Sequence, residues 1–201
     1  VSKIFDSTNK KILFLISHPS DEIIFFWSLL QEMNIEKTIL MVSTDIYNND
    51  FKYDKLTPLK EICNETNTNL ITLNYDNFFY SLEMYPKKNY QQLHYFIRKQ
   101  LKDIDYDYLF THNPYGEYNH PDNILLFNAS LLYSKTEIIY TDIIYDNIKN
   151  KINNIYYKDS NKLGEYYLDE NMYYNFKNKY LNNRSWNYDF DIFKKCNLYI
   201  L

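Results

Sequence analysis

The sequence has 201 residues, 45% of them hydrophobic, with a formal net charge of −4 and two cysteines. That length suits one domain, or one domain with an appendage, large enough to bury a substantial core, and the acidic balance argues against a nucleic-acid binder, whose footprint is a basic face. Two cysteines are too few for a disulfide scaffold, no run approaches the roughly 18 to 20 apolar residues of a bilayer span, and nothing resembles a signal peptide, so a reduced, cytoplasmic setting is the expectation.

In chain order, the runs ILFLIS (12–17), TILMVS (38–43), NLITLNY (69–75), YDYLFTH (106–112) and EIIYTDII (137–144) have strand length and β-branched or aromatic content. Helices are expected between them over 21–33, over 57–67 with Thr57 as N-cap and Pro58 in the first turn, over about 89–103, and over 121–134. The basic stretch KKNYQQLHYFIRKQLK (87–102) is read as a helix with a solvated side, and His94 within it as a structural histidine. Beyond residue 145 the pattern weakens to a possible strand, NNIYYKD (153–159), and a last helix over 169–183. Alternating strands and helices predict an α/β fold: a Rossmann-like three-layer sandwich whose mostly parallel sheet has the order 3-2-1-4-5. Val1 rather than methionine opens the sequence, as in a piece cut from a longer protein.

The chain holds only two glycines, Gly116 and Gly164, and none in the turn SHPSDE after the first strand. A dinucleotide site needs glycine there so that backbone can approach a pyrophosphate, and nicotinamide or flavin binding is thereby disfavoured.

In an open parallel sheet, ligands sit beyond the carboxyl ends of the strands where sheet building reverses direction. The two densest polar clusters follow the two strands that would flank that crevice: SHPSDE (17–22) and THNPYGEYNHPDN (111–123). A catalytic metal takes three protein ligands and keeps a position for water. His18 and Asp21 are spaced to aim at one ion from a turn entering a helix, and His112, Glu117, His120 and Asp122 are candidates from the other side. Each has a structural alternative: Asp21 as a helix cap, His112 as a hydrogen-bonded strand-end histidine.

SHPSDE, with GEYNHPDN about 100 residues later, resembles the PIG-L or LmbE-like family of metal-dependent de-N-acetylases, whose motifs read A-H-P-D-D-E and H-P-D-H. The resemblance implies a single de-N-acetylase-like domain with a core over about 10–145 and a C-terminal appendage over about 146–201. It implies zinc or another divalent metal on His18, Asp21 and the position of Asn123, with His120 assisting at the reacting carbonyl, Asp122 orienting it and Tyr118 steadying the oxyanion. Two positions depart: Ser20 stands where the family has its general base, and Asn123 where it has its last histidine ligand. A hydroxyl is no base near neutral pH, and an amide oxygen is a hard donor poorly matched to zinc beside imidazole. His112 or Glu117 could substitute as ligand or base, and Glu22 is expected to fix His18 through a hydrogen bond. Arg184 and Trp186 among the tyrosines of the tail suit either a sugar platform or a packed C-terminal segment.

The implied activity is deacetylation of an N-acetylated sugar or sugar conjugate by a hydrolase with an altered site, with a small-molecule carbohydrate as partner and neither nucleic acid nor a membrane span. The alternative is a catalytically silent domain that keeps the crevice to bind a glycan or a protein. Fold alone does not decide between them.

Overall fold

The first strand alternates its burial between two layers. Ile12, Phe14 and Ile16 of β1 (Lys11–Ile16) belong to one apolar cluster and Leu13 and Leu15 to another. All five are buried, as expected for a strand covered on both faces. The computed structural model describes residues 10–32, 34–43, 54–75, 87–143, 161–167, 169–183 and 195–201.

Around β1 the described elements follow as α1 (Asp21–Phe25), α2 (Trp27–Leu30), β2 (Glu36–Ser43), α3 (Leu56–Glu65), β3 (Thr68–Tyr75), α4 (Lys87–Asp103) and β4 (Tyr108–Thr111). Then come α5 (Gly116–Asn119), α6 (Pro121–Tyr133), β5 (Ile138–Thr141), β6 (Lys162–Tyr167), α7 (Glu170–Asn182) and β7 (Lys195–Ile200). The sheet order is β3-β2-β1-β4-β5-β7-β6, with the first five strands parallel and β7 antiparallel to both β5 and β6. The expected α/β sandwich with 3-2-1-4-5 at its heart is therefore the observed fold. No described helix is long and apolar enough to cross a membrane.

Helices α1, α2, α3 and α7 supply one layer, through Ile23, Phe25, Leu29, Ile62 and Phe176. Helices α4 and α6 supply the other, through Leu93, Ile97, Leu101 and Leu126. A buried Leu or Phe contributes roughly 1.5–3 kcal/mol, so these two layers dominate the favourable side of folding.

Three local expectations change. The single helix over 21–33 is two, because Phe26 leaves helical backbone (φ −132°, ψ 7°) while its ring packs against Phe14 and Phe110. Thr57 does not cap α3; the helix begins one residue earlier, and the Asp54 carboxylate accepts from the Leu56 and Thr57 N–H groups. The antiparallel pair β6 and β7 was not visible in the pattern of the tail, and the strand expected over 153–159 lies outside the described residues.

Beyond β1 and β4, the strand order turns from leftward to rightward growth, which opens a crevice at their carboxyl ends. The polar loops 17–20 and 112–115 lead out of those ends.

Candidate functional site

The two loops meet. The rings of His18 and His120 lie edge to face with centroids 4.7 Å apart, although 102 positions separate them in the chain. Left-handed backbone shapes both loops: Ser20 (φ 91°), Glu117 (φ 55°) and Asn119 (φ 63°) are three of the four non-glycine residues in that region among those described. Such conformations cost of order 1 kcal/mol or more each and collect at sites where geometry outranks stability. Gly116 (φ 63°) is fixed by space as well, since a Cβ there would meet Ile124 Cγ1 at 2.8 Å.

In the first loop, Ser20 precedes α1 without capping it, and the Asp21 carboxylate turns back to accept from the His18 N–H at 2.8 Å. The cap reading of Asp21 therefore does not hold: its Oδ2 serves the loop. Glu22 does not touch His18 as expected. Its Oε2 accepts from the Ser20 N–H (2.8 Å) and its Oε1 from the Tyr180 hydroxyl of α7 (2.6 Å). Burial pushes the Glu22 carboxyl up to about 7 against the opposing pull of the Tyr180 hydrogen bond.

In the second loop, His120 takes extended backbone because Pro121 follows, and Pro121 opens α6 at the position where its missing N–H costs nothing. The His120 Nδ1 accepts from the Asp122 N–H (3.3 Å), so the neutral ring carries its proton on Nε2. Burial and the neighbouring His18 hold the His120 pKa below the usual histidine value, which favours that neutral form.

The Asp122 carboxylate reaches across to His18 Nε2 at 2.8 Å. A carboxylate only accepts, so His18 Nε2 bears the proton and its lone pair sits on Nδ1, 3.8 Å from Asp21 Oδ2. This is the carboxylate–histidine arrangement that orients a metal-binding imidazole. Asp122 thus orients His18 with its side chain and His120 with its backbone, where the family resemblance assigned it to His120 alone.

His112 is buried at the end of β4, its Nδ1 3.0 Å from Glu117 Oε2. Its Nε2 lies 3.1 Å from the Ser17 N–H, which needs a lone pair there, and 3.4 Å from Asp21 Oδ2, which needs a proton. The two contacts belong to two protonation states of one ring. Burial opposes the charged state, but Glu117 and Asp21 outweigh it and lift His112 to about 10. Conversely, burial alone would raise Asp21, while the hydrogen bond and charge of His112, with His18, hold its carboxyl below the ordinary range. Glu117 is committed within its own loop: beyond His112, it accepts from the Asn113 N–H (2.8 Å) and from Asn123 Nδ2 (2.9 Å).

Among the described residues, five of the six buried side-chain oxygens with no hydrogen-bond partner gather here, Ser17 Oγ, Ser20 Oγ, Asp21 Oδ1, Asp122 Oδ1 and Asn123 Oδ1, and the sixth is the Tyr106 hydroxyl. Buried polar atoms are rarely left so, and a group of acceptors beside two imidazoles is chemically suited to a divalent cation. Two donor sets share His18. His18, His120 and Asp122 offer ligand atoms all within 4.8 Å of one another. His18 Nδ1, Asp21 and Asn123 form the set implied by the motifs, and it leaves the Asp122–His18 bond intact.

Of the residues singled out from sequence, His18, Ser20, Asp21, His112, Glu117, His120, Asp122 and Asn123 all lie in the two meeting loops or in the first turns of the helices they lead into. Tyr118 has its backbone in α5, but its side chain is not among those described, and Arg184 and Trp186 also lie outside. His94 sits on α4 with Tyr133 at 3.0 Å, as a structural histidine would. Sequence reasoning missed Tyr180. Its only signal was a tyrosine at buried spacing on the last helix, with Met172, Tyr173 and Phe176.

No protein-family model matches this chain, and no curated protein matches it. Among solved structures, the fold is similar to the A40926 pseudoaglycone deacetylase Dbv21, with a TM-score of 0.64 and 12% identity over 97% of this chain and 98% of that one.

Proposed function

We propose that the chain is a PIG-L/LmbE-like hydrolase that removes the acetyl group from an N-acetylated sugar or sugar conjugate. The observation that carries this is the meeting of His18, Asp21, His120 and Asp122 at the crevice between β1 and β4, with unpartnered buried oxygens around them. A structural neighbour that is itself a deacetylase supports the same reading at the level of fold.

His18, Asp21 and Asn123 would hold a divalent metal, which when bound supplies Lewis acidity toward an amide carbonyl and a more acidic water. Asp122 fixes the His18 ring so that Nδ1 is its donor atom. His120, neutral with its proton on Nε2, would donate a hydrogen bond from that N–H to the oxygen that gains charge, and the proton that the departing amine needs would come from the attacking water. Tyr118, on the preceding turn, is assigned to the same oxyanion. Ser20 cannot take a proton from water, and a missing positioned base costs on the order of 10² to 10⁴ in rate. That single side chain favours a second reading, a silent glycan-binding member of the fold.

The test is acetate release from N-acetylhexosamine conjugates by protein stripped with chelator and reloaded with zinc or manganese. We expect slow, metal-dependent release, lost in Asp21→Ala, reduced about 10²-fold or more in His120→Ala, and raised in the Ser20→Asp, Asn123→His double variant. No release from either the wild type or the double variant across the series would reject the hydrolase and leave the binding domain.

A further inference from the structure

Asn123 stands where the resembling family has an imidazole, and its amide is not free to turn. Nδ2 donates to Glu117 Oε2 at 2.9 Å, and a carboxylate can only accept, so the amide nitrogen must face Glu117 and the oxygen the opposite branch. That oxygen is buried and has no partner. Glu117 is itself held in place: its other oxygen accepts from the Asn113 N–H, its backbone N–H donates to Asn113 Oδ1 at 3.2 Å, and its backbone takes the left-handed form. A glutamate in strained backbone, buried and saturated with donors, is an expensive way to fill space.

We propose that Glu117 is a positioning residue that locks Asn123 with its oxygen toward the metal, making Asn123 Oδ1 the third donor beside His18 and Asp21. The inference rests on the metal-dependent reading above and deepens it. One imidazole and two oxygens form a harder set than two imidazoles and a carboxylate, so the site takes manganese(II) or magnesium(II) in preference to zinc(II), relative to an Asn123→His variant.

In Glu117→Gln an amide NH₂ replaces one acceptor. The Asn123 amide then turns its oxygen to that NH₂ and away from the site. Titration calorimetry of chelator-stripped protein with manganese(II) and zinc(II), on wild type, Glu117→Gln, Asn123→Ala and the double variant, reads the coupling. The expected results are a loss of about 10- to 100-fold in manganese affinity for Glu117→Gln, a comparable loss for Asn123→Ala, and no further loss when Glu117→Gln is added to Asn123→Ala. A residue that merely supports the fold would weaken binding equally in both backgrounds, and that result overturns the proposal. Should Glu117→Gln fail to fold, Asn123→His decides: it must move preference toward zinc by about 10-fold or more, and an unchanged preference overturns the assignment of Asn123. A wild type that binds neither ion sinks this inference together with the metal-dependent reading. A wild type that binds metal indifferently to Glu117 sinks this inference alone.

Discussion

The two loops that build the crevice are stabilised in opposite ways. The second is gathered mainly from within: Glu117 holds His112, Asn113 and Asn123, each within six positions of it. The first relies on a distant residue: Glu22 secures the Ser20 N–H with one oxygen and takes Tyr180, 158 positions away on α7, with the other. A loop long enough to contain its own acceptor can be rigid by local means. A four-residue turn between a buried strand and a helix has less room and borrows a partner from a neighbouring helix of the same layer.

The largest test of that contrast is Glu117→Ala, which strands three buried donors and is expected to destabilise the fold by about 3–5 kcal/mol in urea unfolding. Glu117→Gly should recover about 1 kcal/mol of this, because glycine tolerates φ 55°. Equal stability of the two variants would remove backbone strain from the account.

Next comes the pH dependence of the first loop. Glu22 has a folded pKa raised from 4.5 to about 7, so the protonated form is favoured by folding. Its contribution is fully present below about pH 4.5, declines as pH rises, and is gone above about 7. At about 1.4 kcal/mol per pH unit of displacement this is on the order of 3 kcal/mol. Glu22→Gln does not titrate, so its stability relative to wild type should climb by that order between pH 4 and 8, and a flat difference curve would mean that burial does not govern Glu22.

Smaller again is Tyr180→Phe, which removes one hydrogen bond to a buried carboxylate and should cost about 2 kcal/mol. A loss matching that of Glu117→Ala would erase the distinction between the loops. Smallest, and opposite in sign, Ser20→Gly should stabilise by about 1 kcal/mol by relieving φ 91°. No gain would place the strain elsewhere.

Much of this is legible in the sequence. Strands such as LFLI and LMVS announce themselves because a doubly covered parallel strand is a continuous apolar run, and the two polar clusters stand out against that background. Their convergence followed from strand order alone. What the sequence hides is set by contacts between remote positions. The break at Phe26 depends on rings from β1 and β4. The partner of Glu22 lies on a helix whose packing face reads like any other. The position of Glu117 depends on a backbone angle that no glutamate advertises, and β7 is recognised through its pairing with β5 and β6.

That last pairing orders events in time. Asn197 meets Asp142 through both its backbone and its amide nitrogens, at 2.8 and 2.6 Å, closing the flank of β5. During synthesis the ribosome releases the parallel strands long before residue 197, so β5 must wait with an open hydrogen-bonding rim that invites other nascent chains. A premature stop before Lys195 would leave that rim uncovered, and insolubility, more than lost chemistry, should be its first symptom.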